Sequence, residues 1–216
     1  LLGSWTAGTL SSTAQVEGVA TDGTDIWIVD NKVDKVYKYA GAASRLTGSQ
    51  NAASSFSLNS GNTNPKGIVT DGTSIWVVND GTTDKVFKYS LAGTLLGSWT
   101  IDAANSVPTG LTIDPTNVSD IWIVDNGTDK VYQYNAATSR TSGSQSAAAI
   151  FALASGNTNP QDIADPPLAG GELPPVQLST ARGNTDRANL VIGALDDHFR
   201  EQSNSRHLAQ LRVAAT

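Results

Sequence analysis

One motif is written three times in this chain, and it leaves few folds open. Asp71-Gly72-Thr73-Ser74-Ile75-Trp76-Val77-Val78-Asn79 repeats Asp22-Gly23-Thr24-Asp25-Ile26-Trp27-Ile28-Val29-Asp30. A third copy, with a longer approach, is Ser119-Asp120-Ile121-Trp122-Ile123-Val124-Asp125. Each copy is followed by Asp-Lys-Val-aromatic-x-Tyr, at residues 34–39, 84–89 and 129–134. Trp27, Trp76 and Trp122 fall 49 and 46 residues apart, a spacing characteristic of chains built from repeated supersecondary units.

Each unit reads as four strands. Val16-Glu17-Gly18-Val19-Ala20-Thr21 matches Pro65-Lys66-Gly67-Ile68-Val69-Thr70 and Pro108-Thr109-Gly110-Leu111-Thr112-Ile113. Small apolar residues around a glycine suit an inner strand crowded by neighbouring backbones. Asp22-Gly23 and Asp71-Gly72 predict two-residue hairpins, and Asp114-Pro115-Thr116-Asn117 a longer turn. The Ile-Trp-Ile-Val run is β-branched and apolar on both faces, as a strand covered on both sides must be. The third strand alternates, with Val36 and Lys38 on one face and Tyr37 and Tyr39 on the other. The fourth is Leu95 to Thr100 in the second unit. In the first and third it is Phe56-Ser57-Leu58 and Phe151-Ala152-Leu153, reached through a longer segment containing Arg45 or Arg140.

The array breaks off at both ends. Leu1-Leu2-Gly3-Ser4-Trp5-Thr6 recurs identically at residues 95–100, so residues 1–6 read as the last strand of a preceding unit, cut from a longer array or permuted. Pro160-Gln161-Asp162-Ile163-Ala164-Asp165 begins another inner strand, but Pro166-Pro167 replaces the turn and no fourth Trp strand follows. The expected organisation is therefore a repeat region over 1–165, with units at about 16–60, 65–106 and 107–155. A Pro/Gly linker follows over 166–182, then a helical tail over 183–216. In the tail, Ala188, Val191, Ile192, Leu195 and Phe199 draw a helical stripe after Thr185 as N-cap.

Four-stranded units of this length predict an all-β β-propeller with about three blades present. The order Pro-x-Gly-Ile-x-x-Asp-Gly, Ile-Trp-Val-Val-Asn, Asp-Lys-Val-Phe-Lys-Tyr resembles NHL-type repeats of bacterial secreted and surface proteins. The resemblance covers residues 1–165 and implies a six-bladed propeller and an extracellular or cell-surface location; such propellers serve as enzymes and as binding scaffolds alike. Closed rings use roughly 4–8 blades, so three imply either a fragment or a homodimer closing a six-bladed ring.

Charge and composition exclude several function classes. A net charge of −6 with a pI near 4.7 argues against a nucleic-acid surface. No apolar run is long enough to span a membrane. With no cysteine there is no disulfide framework and no thiol chemistry.

The candidate binding residues sit in the turns after the Trp strands: Asp30, Asp34, Asn79, Asp80, Asp84, Asp125 and Asp129, with Asn62, Asn64, Asn157 and Asn159 in the adjoining loops. Oxygen-rich loops of this kind hold calcium or hydrogen-bond sugar hydroxyls. The competing reading, that Asp and Asn satisfy turn geometry, is the stronger, since no EF-hand pattern occurs. The three repeated tryptophans read as inter-blade core, with Trp5 and Trp99 open. Lys35, Lys85 and Lys130 suggest a ladder of surface ion pairs. His198 and His207 lie in the tail, the repeats hold no histidine, and no nucleophile elbow or phosphate loop is present.

These residues point to a non-catalytic recognition or scaffold module of an exported bacterial multidomain protein, binding a protein, a glycan or a cation through its Asp/Asn face. No cofactor is expected, calcium being the one candidate ion. A lyase or hydrolase with its catalytic residues in other blades, or a plain structural spacer, are the alternatives.

Overall fold

The computed structural model describes residues 2–113 and 118–164. The predicted linker and helical tail, both histidines and the Asp114-Pro115 turn lie outside the described residues. The strands are β1 (Thr6–Ala7), β2 (Val16–Thr21), β3 (Ile26–Asp30), β4 (Lys35–Tyr39), β5 (Ser49–Gln50), β6 (Ser54–Ser57) and β7 (Pro65–Thr70). They continue as β8 (Ser74–Asn79), β9 (Lys85–Ser90), β10 (Leu95–Thr100), β11 (Pro108–Ile113), β12 (Ile121–Asp125), β13 (Lys130–Tyr134) and β14 (Ala149–Ala152). Three four-stranded antiparallel sheets result, ordered β2-β3-β4-β6, β7-β8-β9-β10 and β11-β12-β13-β14.

The sheets stack face to face, which explains why the Trp strands are apolar on both sides. Trp27, Val29 and Val36 of the first sheet pack on Ile68, Ile75, Val77, Phe87 and Tyr89 of the second. Trp76, Val78, Val86 and Trp99 of the second pack on Leu111, Ile121, Ile123, Tyr132 and Tyr134 of the third. Every sheet thus turns a Trp/Val flank to its successor and an Ile/aromatic flank to its predecessor.

The first strands run side by side at the inner end of the stack. A Cβ on Gly67 would stand 2.8 Å from Gly110 Cα and 2.9 Å from Leu111 N, so backbone meets backbone there. Glycine at this position is a packing requirement.

The turns after the first strands differ from the two-residue hairpins expected. Four residues, 22–25, connect β2 to β3, and three, 71–73, connect β7 to β8. Asp22 Oδ1 accepts from the amides of Thr24 and Asp25, and Asp71 Oδ1 from those of Thr73 and Ser74. An Asx turn thus replaces the tighter hairpin, with Gly23 and Gly72 at φ 89° and 80°.

The blades alternate between two builds. The first and third carry a short 3₁₀ turn (Ala42–Ser44, Ala137–Ser139) and an Arg–Gln clip, Arg45 Nε to Gln50 Oε1 and Arg140 Nε to Gln145 Oε1, each 2.8 Å. The clipped segment lies alongside the outer strand of the preceding unit: β1 pairs in parallel with β5, and Thr100 bridges in parallel to Ser144. The second blade has no such segment and runs straight into β10.

Candidate functional site

At one end of the stack each Trp strand stops where the inner strand of its own blade starts, with Asp30 opposite Val16, Asn79 opposite Pro65 and Asp125 opposite Pro108. The loops at this end form the Asp/Asn face. Its three strand-end residues point inward, with relative exposures of 1%, 2% and 0%.

Each of them holds the loop that leads into its blade. Asp30 Oδ1 accepts from the amides of Gln15 and Lys32, both at 2.9 Å. Asn79 Oδ1 accepts from Asn64 N at 2.8 Å. Asp125 accepts from Val107 N at 2.7 Å through Oδ2, and through Oδ1 from Thr128 N at 2.7 Å and Thr128 Oγ1 at 2.8 Å. A buried carboxylate is tolerated where donors satisfy it, as at Asp125, whereas Asp30 bonds through Oδ1 alone; with Asn79 these residues brace the face from beneath.

Asp34 and Asp129 serve through their backbones. Both adopt left-handed φ, 51° and 53°, and their carbonyls accept from Leu58 N and Leu153 N at 2.8 and 2.9 Å, tying the turn to the outer edge of the sheet. Asp84 does the equivalent with Ile101 N at 3.1 Å, and its Oδ1 accepts from Gly81 N at 2.9 Å. Asp80 takes the Asn64 side-chain amide on its carbonyl at 2.6 Å and on Oδ2 at 3.3 Å.

Burial, with the charge of Asp30 second, raises the Asp34 carboxyl above its usual range. Asp80 and Asp84 are raised chiefly by burial, and each also feels Asp125. Among the described residues, no group of three or more His, Cys, Asp or Glu side chains is placed to hold a metal ion.

Neighbouring blades are stitched together on this face by asparagine. Asn31 Nδ2 donates to Asn64 Oδ1 at 2.8 Å, and Asn126 Nδ2 to Asn159 Oδ1 at 2.7 Å. A second lock lies deeper. Tyr89 Oη accepts from Asn59 N and Asn62 Nδ2 of the first blade's exit loop, and Tyr134 Oη from Asp102 N and Asn105 Nδ2 of the second's. Both locks could be suspected from repeated Asn and Tyr, but their partners lie 27 to 33 residues away in the chain.

The aromatic and basic residues resolve as follows. Trp27, Trp76, Trp99 and Trp122 are all buried, and Trp5 packs on Tyr39 with centroids 5.2 Å apart, as Trp99 packs on Tyr134 at 5.1 Å. The expected ladder of Lys35, Lys85 and Lys130 is not formed: the ion pairs among the described residues are Lys38–Asp25 and Lys66–Glu17. Lysines three residues further on, on the opposite face of the strand, matter more, with Lys38 Nζ 5.2 Å from the Trp27 ring centroid and Lys88 Nζ 4.9 Å from that of Trp76. What the face does expose is three valines, Val16, Val33 and Val107.

Sheets of four antiparallel strands, packed flank to flank with glycine-bearing first strands side by side, are propeller blades; the described residues form part of a β-propeller. No protein-family model matches the chain, and comparison with curated proteins finds no match either. Among solved structures it is similar to a chain of a nidogen/laminin complex at 21% identity, covering 73% of this chain and 55% of that one with a TM-score of 0.49. It is also similar to a protein of unknown function from Bacteroides caccae, at 9% identity, 71% and 50% coverage and a TM-score of 0.48. A third likeness is to the glutaminyl cyclase of Myxococcus xanthus, at 13% identity, 61% and 53% coverage and a TM-score of 0.45. The chain thus spans about half the length of these structures. At such scores the likenesses carry no weight in the fold assignment, which rests on sheet order and packing. Among the described residues no helix is long and apolar enough to cross a membrane.

Proposed function

We propose that the chain is a non-catalytic recognition module of NHL type, from an exported bacterial multidomain protein, and that its Asp/Asn loop face binds another protein. The observation that carries this reading is the make-up of that face. Two of its acidic residues, Asp30 and Asp125, are fixed by backbone amides of the adjoining loops, while Val16, Val33 and Val107 stand exposed among the polar loops. A rigid polar surface with a few exposed apolar side chains suits a protein partner. A glycan is the second reading and draws less support, because sugar-stacking needs an open aromatic face and the four central tryptophans are covered. A ring closed by two copies of this chain would set long-segment blades against each other, so the proposal does not depend on it.

The test replaces exposed residues and leaves the braces untouched. Val33→Asp with Val107→Asp should leave the circular dichroism spectrum and melting temperature unchanged. It should weaken capture of the protein partner found by photo-crosslinking from Val33 at least about tenfold, the loss expected when 1.4 kcal/mol of contact is removed. Unchanged capture, or crosslinks that form equally from Ser54 at the outer edge, would move the site off this face.

A further inference from the structure

Asn31 and Asn126 hold the same place in their blades and differ in the residue that follows. Asn31 N–H donates to Gln15 O and its Nδ2 to Asn64 Oδ1, both at 2.8 Å. Asn126 N–H donates to Val107 O at 3.0 Å and its Nδ2 to Asn159 Oδ1 at 2.7 Å. Each is therefore enclosed by the loop that enters its own blade and the loop that leaves it, and all these loops are among the described residues. Lys32 follows the first and Gly127 the second, and Asn126-Gly127 is the one Asn-Gly pair in the sequence.

The backbone amide after each asparagine is treated differently. Asp30 Oδ1 accepts from Lys32 N–H at 2.9 Å, and in the second blade Asp84 Oδ1 accepts from Gly81 N–H at 2.9 Å. In the third blade Asp125 Oδ1 is engaged one residue further on, by Thr128 N–H at 2.7 Å and Thr128 Oγ1 at 2.8 Å. Gly127 N–H has no acceptor among the described residues, and Gly127 is exposed. It carries no Cβ to obstruct the approach of its nitrogen to the side chain before it. The second blade has Asp80 at the place of Asn126, so this fold already accommodates a carboxylate there.

We propose that Asn126 is a site of spontaneous modification, where the side-chain amide is converted to a carboxylate through a cyclic imide formed with Gly127. Asparagine is among the thermolabile residues. Gly127 N gives up its proton to solvent base and attacks Asn126 Cγ; the N–Cγ bond forms, the Cγ–Nδ2 bond breaks, and ammonia leaves with a proton from water. Water then opens the imide at either carbonyl and leaves aspartate or isoaspartate at position 126; no oxidant or reductant takes part. The product has lost the Nδ2 donor and sets a negative charge against Asn159 Oδ1, which also accepts from Gln161 Nε2 at 2.7 Å. The tie between the third blade and its exit loop is thereby cut.

The test incubates the full chain in mildly alkaline buffer made with oxygen-labelled water. Each asparagine is then followed by peptide mapping, with fragmentation that separates aspartate from isoaspartate. Position 126 should take up the label and convert at least about tenfold faster than Asn31, a barrier lower by about 1.4 kcal/mol. Lys32→Gly gives Asn31 the same following residue but leaves that residue's amide an acceptor in Asp30, so Asn31 should still convert more slowly than Asn126. Asn126→Asp, which carries the charge of the product, should quicken amide exchange at Asn157, whose N–H donates to Ala154 O. It should leave Asn62, bonded in the same way to Asn59 O in the first blade's exit loop, unchanged. Conversion of Asn126 no faster than that of Asn31 in the folded chain, though fast in urea, would overturn the proposal. Equal rates at Asn126 and at Asn31 of Lys32→Gly would overturn the assignment to the free Gly127 amide, and unchanged exchange at Asn157 would overturn the cutting of the exit-loop tie.

Discussion

Equivalent tyrosines in this array do unequal work. Tyr134 Oη accepts two hydrogen bonds from the preceding blade's loop, at 3.1 and 3.2 Å, whereas the buried Tyr39 Oη has no partner among the described residues. The loop before the first blade reads Ala-Gly-Thr-Leu-Ser where the loop before the third reads Ile-Asp-Ala-Ala-Asn, so the asparagine donor is missing. Tyr134→Phe should therefore cost about 1–3 kcal/mol in urea unfolding by stranding buried donors, while Tyr39→Phe should be neutral or slightly stabilising. Equal costs would mean that the Asn–Tyr lock contributes nothing.

Asp162 is a second residue whose effect has a direction. It stands where the first three inner strands have Gly18, Gly67 and Gly110, lies against Gly110, and burial pushes its carboxyl up to about 7. Between roughly pH 4 and 7 the folded chain then holds a proton that the unfolded chain has released, so stability falls as pH rises through that window. Asp34, Asp80 and Asp84, also raised, act in the same sense. Asp162→Asn should raise the urea midpoint more at pH 7.5 than at pH 4. A gain independent of pH would show that Asp162 is ionised throughout.

At the scale of the element, the inner strands are limited by backbone contact and the Trp strands by side-chain contact. Gly67→Ala forces a methyl to within 2.8 Å of Gly110 Cα, and two ladders must part to admit it. A cost of about 1–3 kcal/mol is expected, read from chemical denaturation. Alanine at Gly156, where a Cβ meets nothing within 4 Å, is the control and should change little. If both glycines tolerate alanine alike, the inner strands are not in contact. The clipped segments of the first and third blades are elements of another kind: short, poor in apolar residues, and shaped by Arg45–Gln50 and Arg140–Gln145 to receive a neighbour's strand.

Over the whole molecule, the two builds of blade make the interfaces alternate. Trp99 on Tyr134 and Trp5 on Tyr39 belong to one kind, Phe56 on Tyr89 to the other. On the oxygen-rich face Asp30 and Asp125 accept backbone amides, and among the described residues no group of three or more acidic or histidine side chains is placed to hold a metal. Calcium in millimolar excess over chelator should therefore leave the melting temperature unchanged. A rise that grows with calcium concentration would reveal a site on that face.

By itself the sequence determined the repeat, the four-strand unit and the burial of Trp27, Trp76 and Trp122, because period and two-sided apolarity are properties of a strand and its immediate neighbours. It also singled out Asp30, Asn79 and Asp125 as members of one set. What they do was decided only by the tertiary structure: their amide partners at 15, 64 and 107 lie 15 to 18 residues away, and sheet register alone brings them within 3 Å. The same holds for the two copies of Leu-Leu-Gly-Ser-Trp-Thr. Identical residues have identical propensities, and only the tertiary structure sets Trp99 opposite Val86 on β9 and Thr6 beside Ser49 on β5.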